Sequence, residues 1–106
     1  MPDFNEMLLK AKEMQAKMKA AQDSIKSIEV EGAAGGNLVK VVLTGSYEIK
    51  SITISEEAKK ETGDIINDLI IAAHNNAKDK LKKKSAEELA KVTGGLDLPF
   101  DLKSLF

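Results

Sequence analysis

The chain has 106 residues, enough for one small domain with a modest hydrophobic core. It contains no cysteine, which excludes disulfides, thiolate metal sites and a cysteine nucleophile, and no apolar run reaches membrane-spanning length. The net charge is −1 and all 16 basic residues are lysine, so the protein is not coated in positive charge, although one basic face would fit this total. No signal peptide is recognisable at the front, so we expect a cytoplasmic location.

The first predicted element is a long helix from Asp3 to Ser27, because strong helix formers dominate a segment without internal glycine or proline. Its apolar residues recur in steps of three and four, the spacing of a coiled coil. A stripe this narrow needs a partner helix, from the same chain or from another copy. We call this stripe the heptad seam, and it consists of Phe4, Met7, Ala11, Met14, Met18, Ala21, Ile25 and Ile28.

Three antiparallel strands are predicted next, separated by glycine-containing turns. The expected order is a strand over Ile28–Glu31, a hairpin connection over Gly32–Asn37, a strand over Leu38–Thr44, a Gly45-Ser46 turn and a strand over Tyr47–Ile54. The apolar parity changes within the third strand, which predicts a β-bulge near Lys50 and Ser51.

The second strand carries apolar residues on both faces. Val39, Val41 and Leu43 share one face, whereas Leu38 and Val42 are assigned to the other. A sheet that is apolar on both faces must be covered on both. The chain's own helices can cover one face, and a second subunit is expected on the other face or at the sheet edge.

The last predicted elements are helical. Ser55 is expected to cap a short turn that ends at Lys59, and Asp64 is expected to cap a long helix that begins at Ile65. A restart signal leaves open whether this helix is broken near Ser85, and Gly94-Gly95 is expected to end it. The tail, residues 96–106, either docks through its apolar side chains or remains mobile.

The fold class is therefore α+β: a helix, a three-stranded antiparallel sheet and a long helix, assembled as a homodimer. The 106 residues form a single domain. The first helix is expected to pair with the C-terminal part of the long helix to form an arm.

Catalytic chemistry finds little support in this sequence. His74 has no second histidine, no cysteine and no catalytically spaced carboxylate pair beside it in the sequence. The loop Gly32–Asn37 joins two strands and lacks the lysine and helix of a nucleotide-binding loop. The prediction is a protein that is not an enzyme and that takes no cofactor, metal or small-molecule substrate.

Lysine clusters are the better functional candidates. On the first helix one lysine row repeats every seven residues, and on the long helix lysines crowd into about two turns. Interspersed acidic residues favour solvated faces that keep the protein soluble, whereas clustered positive charge on extended elements favours contact with nucleic-acid phosphates. The candidate DNA-binding residues are Lys12, Lys19, Lys26, Lys78, Lys82 and Lys83.

The order and spacing of several strings resemble the YbaB/EbfC family of small bacterial nucleoid-associated proteins, nearly from end to end. The strings that carry the resemblance are Ala11–Met18, Val30–Val41, the Gly45 turn into Ile52–Ile54, Asp68–Ala77, and Gly94–Leu96 followed by Leu98-Pro99. The resemblance implies a tweezer-like homodimer with a central antiparallel sheet and protruding helices. It also implies nucleoid association and binding of double-stranded DNA with weak or variable sequence preference.

Two functional hypotheses from different classes follow. The first is a homodimeric, nucleoid-associated protein that binds duplex DNA, with the six candidate lysines as phosphate contacts and without a membrane partner. The alternative is a helical protein-interaction module, in which the heptad seam recruits another helical protein and the lysines only confer solubility.

Overall fold

The computed structural model describes residues 3–93, which form an α+β fold in the predicted order. Its elements are α1 (Phe4–Lys26), β1 (Glu29–Ala34), β2 (Val39–Thr44), β3 (Ile49–Ile54), a 3-10 turn (Ala58–Lys60) and α2 (Gly63–Thr93). The predicted helix end at Gly94-Gly95 and the predicted tail lie outside the described residues.

The three strands form an antiparallel sheet in the order β1-β2-β3. The predicted bulge is confirmed: Val42 pairs with Ser51 and Leu43 pairs with Ile49, so Lys50 is the extra residue. The extra residue restores Ile49 and Ile52 to the same face despite their odd spacing.

Helix α2 packs across β1 and β2 and covers one face of the sheet. The largest fully buried side chains are Val39, Val41 and Leu43 of β2 and Leu81 of α2. Alternation along β2 directs the first three toward the helix, as the sequence pattern predicted.

Gly32 allows α2 to approach β1 closely. A Cβ built on Gly32 would collide with the backbone of Ala73 and Ala77. The prediction that Gly32 begins a loop was therefore wrong, because β1 extends to Ala34 and Gly32 lies within the strand. The absence of a side chain at Gly32 lets α2 approach β1, and nothing in the local sequence distinguishes this use of glycine from a turn.

Gly45 serves a similar purpose at the other end of the sheet. A Cβ at Gly45 would collide with the carbonyl group of Ile25, near the end of α1. The β2–β3 turn therefore packs directly on the C-terminus of α1 and fixes where that helix leaves the sheet.

Of the two predicted helix caps, one is confirmed and one needs correction. The Oγ of Ser55 accepts a hydrogen bond of 3.0 Å from the Ala58 N–H, so Ser55 caps the short turn as predicted. Thr62, rather than Asp64, provides the side-chain oxygen at the start of α2, at 3.4 Å from the Ile65 nitrogen. Helix α2 is continuous through Ser85, which is buried, so the possible break left open by the sequence does not occur.

The second face of the sheet is more polar than expected. Leu38 packs against the hydrophobic core, so its assignment to this face was wrong. Around the half-buried Val42, the face carries ion pairs of Lys40 with Glu31 at 3.8 Å and Lys50 with Glu29 at 2.6 Å. These exposed pairs keep the face solvated, so the uncovered apolar surface must be sought elsewhere.

Candidate nucleic-acid interface

Helices α1 and α2 form the predicted arm. Ala21 and Ile25 of α1, and Ser85 and Leu89 of α2, are buried where the two helices meet. The Ser24 hydroxyl donates a hydrogen bond of 3.1 Å to Oε2 of Glu88, which places residue 24 beside residue 88. The helices run antiparallel, because α1 ends at the sheet whereas α2 leaves it after Ala77. We use "the arm" for residues 4–26 of α1 and residues 78–91 of α2.

Glu88 is the electrostatic centre of this contact. Its other carboxylate oxygen accepts a hydrogen bond of 3.2 Å from Lys91. The Lys91 hydrogen bond, followed by the Ser24 hydrogen bond and the nearby charges of Lys91 and Lys84, lowers the pKa of the Glu88 carboxyl below its ordinary value. Lys91 belongs to the same helix as Glu88, so the ionised carboxylate contributes to the helix pairing through the Ser24 hydrogen bond.

Positive charge is concentrated on the arm although the whole chain is nearly neutral. The arm contains 11 lysines and 6 acidic residues, an excess of five positive charges. Residues 27–77, which comprise the sheet and the first half of α2, contain four lysines and eight acidic residues. The small total thus conceals a dipolar molecule with a basic projection and an acidic body.

The three candidate lysines of α1 share one surface. At about 100° per residue, Lys12, Lys19 and Lys26 lie roughly 140–180° around the helix from Ala21, which is buried. All three are exposed, and none forms an ion pair within residues 3–93. They form a basic strip on the outside of the arm, in which successive lysines are about 10 Å apart along the helix axis.

The three candidate lysines of α2 do not share one surface. Lys83 is exposed and lies opposite the buried stripe of Leu81 and Ser85, whereas Lys82 is exposed on the flank of that stripe. Lys78 is half-buried on the same flank, nearer the sheet. The structure therefore brings the α1 lysines together but distributes those of α2 over two sides of the helix.

Two side chains of α2, those of Lys80 and Asn76, form hydrogen bonds with the backbone of β1 that the sequence did not reveal. Lys80 donates a hydrogen bond of 3.0 Å to the Glu31 carbonyl, and Asn76 accepts one of 3.1 Å from the Ala33 N–H. Both bonds close the outer edge of β1. Such contacts join residues more than 40 positions apart, so no local pattern could have indicated them.

Among residues 3–93, no strand pairs with the opposite edge of the sheet. Strand β3 is an edge strand, and α2 packs over β1 and β2 rather than over β3. Ile52 pairs with Val41 and thus lies on the helix side of the sheet, yet it is 43% exposed. Ile71 of α2 lies about 140° around the helix from Asn76, on the side nearer β3, and is 58% exposed. We call Ile49, Ile52 and Ile71 the β3 surface.

The heptad seam is covered along only half its length. Ala21, Ile25 and Ile28 are buried and Met18 is half-buried. Toward the N-terminus of α1 the seam is uncovered, with Phe4 70% and Met7 56% exposed. The described part of α2 ends before it can reach these residues.

His74 is half-buried in α2. Within residues 3–93, no cluster of three histidine, cysteine or acidic side chains is arranged to hold a metal ion. Charge and apolar surface, rather than convergent polar groups, are the features from which function must be inferred.

The model of the YbaB/EbfC DNA-binding family matches residues 1–96. The chain belongs to this family. The predicted resemblance is thereby confirmed, together with the prediction of a nucleoid-associated DNA-binding protein. The family is a DNA-binding family rather than an enzyme family.

Relatives named as nucleoid-associated proteins match over the full length of both chains. One from Mesorhizobium japonicum is 45% identical over 107 residues, and one from Agrobacterium fabrum is 43% identical over 107 residues, each covering 100% of both chains. A nucleoid-associated protein of Brucella ovis is 44% identical over the same length, again with 100% coverage of both chains.

The α+β fold is also found in a solved structure. The crystal structure of an uncharacterized protein from Helicobacter pylori superposes with a TM-score of 0.68 at 15% identity, covering 82% of this chain and 92% of the other. At this identity the likeness concerns the fold alone. In the part of the chain that the structure describes, no helix is long and apolar enough to cross a membrane.

Proposed function

We propose that this YbaB/EbfC protein acts as a homodimer that binds double-stranded DNA through contacts between arm lysines and phosphates. The separation of charge between arm and body carries the proposal. A duplex carries one negative charge per about 1.7 Å of axis and attracts clustered lysine irrespective of sequence. The acidic body, residues 27–77, would be repelled, so the arm is the part that meets the duplex.

The mode of contact follows from the residue type. Lysine is a flexible point charge, whereas arginine offers the planar fork that recognises guanine edges. With 16 lysines and no arginine, the chain is suited to phosphate contacts with weak sequence preference. Lys12, Lys19 and Lys26 are the first candidates, because they are exposed, unpaired within the described residues and collinear. Lys82 and Lys83 add charge on two further sides of the arm, and Lys78 is the weakest of the six because it is half-buried.

The difference between the two edges of the sheet supports the homodimer. An open edge strand is a template for pairing with another chain, and proteins commonly protect such edges. Here Asn76 and Lys80 protect β1, whereas β3 combines an open edge with the exposed Ile49 and Ile52. Contact between two copies at the β3 surface would bury these side chains and place two arms on one particle.

A protein-interaction module is the second candidate function. The observation that favours it is the uncovered half of the heptad seam, which presents Phe4 and Met7 to solvent. In that case the seam would engage a helix of another protein, in addition to the DNA binding of the family.

Titration of unrelated duplexes over a range of salt concentrations tests the proposal. We expect similar affinity for each sequence, and a logarithm of the binding constant that falls linearly with the logarithm of salt, with a slope of about −0.9 for each phosphate neutralised. Absence of binding to long duplexes at low salt and micromolar protein would refute the DNA role and leave the interaction module. Strong dependence on sequence with a flat salt response would refute the phosphate mode alone.

A further inference from the structure

The uncovered half of the heptad seam has a candidate occupant within the same chain. Phe4, Met7 and Leu8 are each about half exposed or more, and Met14 is 38% exposed. An apolar helix face of this length is unusual on an isolated soluble arm, because burial of such side chains contributes about 25 cal/mol per Å² of apolar area. We infer that residues 94–106 of the same chain cover this half of the seam.

The position at which α2 ends supports the inference. The Ser24–Glu88 hydrogen bond sets the antiparallel register, so Thr93 lies beside roughly residue 19 of α1. The uncovered seam starts at that level and extends to Phe4, about 22 Å further along the helix. The chain therefore leaves α2 directly at the surface that needs covering.

The length of the remaining chain is sufficient. Thirteen residues follow Thr93, and an extended chain spans up to about 3.3 Å per residue, or roughly 43 Å. Even a segment that advances only about 1.5 Å per residue would come within a turn of Phe4. The segment does not need to detach α2 from the sheet to reach the seam.

Residues 94–106 are also complementary to the arm in composition and charge. Six of the thirteen residues are large and apolar, and they are Leu96, Leu98, Phe100, Leu102, Leu105 and Phe106. The segment also contains Asp97 and Asp101 against a single lysine, whereas the arm has an excess of five positive charges. An acidic, apolar-rich segment suits a basic arm with an apolar seam, whereas a second copy of α1 would place like charges together.

Oxidation of methionine provides a direct test, since Met7 and Met14 lie on the uncovered seam and Met18 is half-buried by the arm itself. Hydrogen peroxide oxidation, followed by peptide mass spectrometry, gives an initial rate for each methionine. We expect the rates of Met7 and Met14 to rise at least threefold when the chain is shortened to residues 1–93, with Met18 changing less. Equal rates in the two chains would overturn the inference.

A full-length variant controls for effects of shortening. In Leu98→Ser/Phe100→Ser/Leu102→Ser the segment keeps its length and charge but loses apolar side chains, and we expect the same rise in Met7 and Met14 oxidation. The matched control Asp97→Asn/Lys103→Gln/Ser104→Ala keeps the apolar residues and should retain protection. Protection that survives the triple serine variant would overturn the inference and indicate another occupant.

Crosslinking distinguishes the same chain from a second copy. Because the chain has no cysteine, Met7→Cys/Leu102→Cys can be joined by a short bismaleimide without background. We expect a product with the mass of one chain. Lys12→Cys/Leu102→Cys is the control, since Lys12 lies about 140° around α1 from Met7. A product of doubled mass, or equal yields from the two variants, would overturn the inference.

Discussion

The amide oxygen of Asn76 accepts a hydrogen bond of 3.1 Å from the backbone N–H of Ala33, and thereby closes one edge of the sheet from the side of the helix. Lys80 reinforces the closure one turn later through the Glu31 carbonyl. Within residues 3–93 the sheet is thus asymmetric: α2 caps the outer edge of β1, whereas no element pairs with the outer edge of β3. This asymmetry is the basis of the proposed contact between two copies at the β3 surface.

The β1 cap predicts a stability loss for Asn76→Ala. Removal of the amide leaves the Ala33 N–H to water and should lower the free energy of unfolding by about 1 kcal/mol. Urea unfolding followed by circular dichroism at fixed protein concentration measures the change. Asn75→Ala is the control, because Asn75 is an exposed neighbour of the same type, and equal effects of the two substitutions would contradict the cap.

The open edge predicts that Ile52→Glu dissociates the proposed homodimer. A charge at the centre of the β3 surface would have to be desolvated in the interface, so the dissociation constant should rise at least tenfold. Sedimentation velocity over a dilution series measures it. Thr53→Glu is the matched control because Thr53 is adjacent and exposed but points to the other face. A wild-type chain that stays monomeric at high concentration would contradict the dimer itself.

The basic strip predicts a uniform loss of DNA affinity in Lys12→Gln/Lys19→Gln/Lys26→Gln. Because phosphate contacts carry no sequence information, affinity for unrelated duplexes should fall by a similar factor, about tenfold or more at low salt. The salt slope should flatten by up to about 3 units if all three lysines contact phosphates. Gel-shift titrations at several salt concentrations measure both quantities.

A matched variant separates local contact from overall charge in that experiment. Lys50→Gln/Lys59→Gln/Lys60→Gln removes the same number of charges from exposed positions of the body. We expect this variant to bind nearly as wild type. An equal loss in the two triple variants would show that total charge, rather than the strip on α1, governs binding.

The lowered pKa of Glu88 predicts a pH dependence of arm pairing. Because the folded-state pKa of Glu88 lies below the unfolded one, the stabilisation is fully present above the unfolded pKa and is lost as the pH falls through the folded pKa. The protection of amides in residues 18–26, expressed relative to the intrinsic exchange rate at each pH, should therefore fall in acid more in the wild type than in Glu88→Gln. Glu87→Gln, an exposed neighbour, should behave as wild type. Parallel pH profiles for wild type and Glu88→Gln would contradict the role of the carboxylate.

The elements of this fold were largely predictable because their signals are local. The apolar period placed both helices and all three strands, and the parity change at Lys50 located the bulge, whereas the cap at Asp64 and the turn at Gly32 were wrong. What sequence could not supply was the relation between distant elements. Leu38 was assigned to a face by parity, yet it lies just before β2 and packs against the core. The same holds for Asn76 and Ser24, whose partners lie 43 and 64 positions away.

Prediction of the DNA-binding lysines was limited in the same way, because the sequence does not show how distant elements pack together. The seven-residue spacing of Lys12, Lys19 and Lys26 sufficed to place them on one surface, because helical geometry relates them directly. On α2, crowding in sequence put Lys82 and Lys83 on different sides of the helix. Recognition that five excess positive charges belong to one projection required the tertiary pairing of α1 with α2.

The close approach of α2 to β1 at Gly32 predicts a large loss of stability for Gly32→Ala. In Gly32→Ala the new methyl group would overlap the backbone of Ala73 and Ala77, which no change of rotamer can relieve. Helix α2 must move away from β1, so we expect a loss of unfolding free energy of about 2 kcal/mol or more. Gly63→Ala is the control, because a Cβ there meets nothing within 4 Å, and it should be neutral or slightly stabilising. Urea midpoints at equal protein concentration compare the two, and an unchanged midpoint for Gly32→Ala would contradict the packing of α2 on β1.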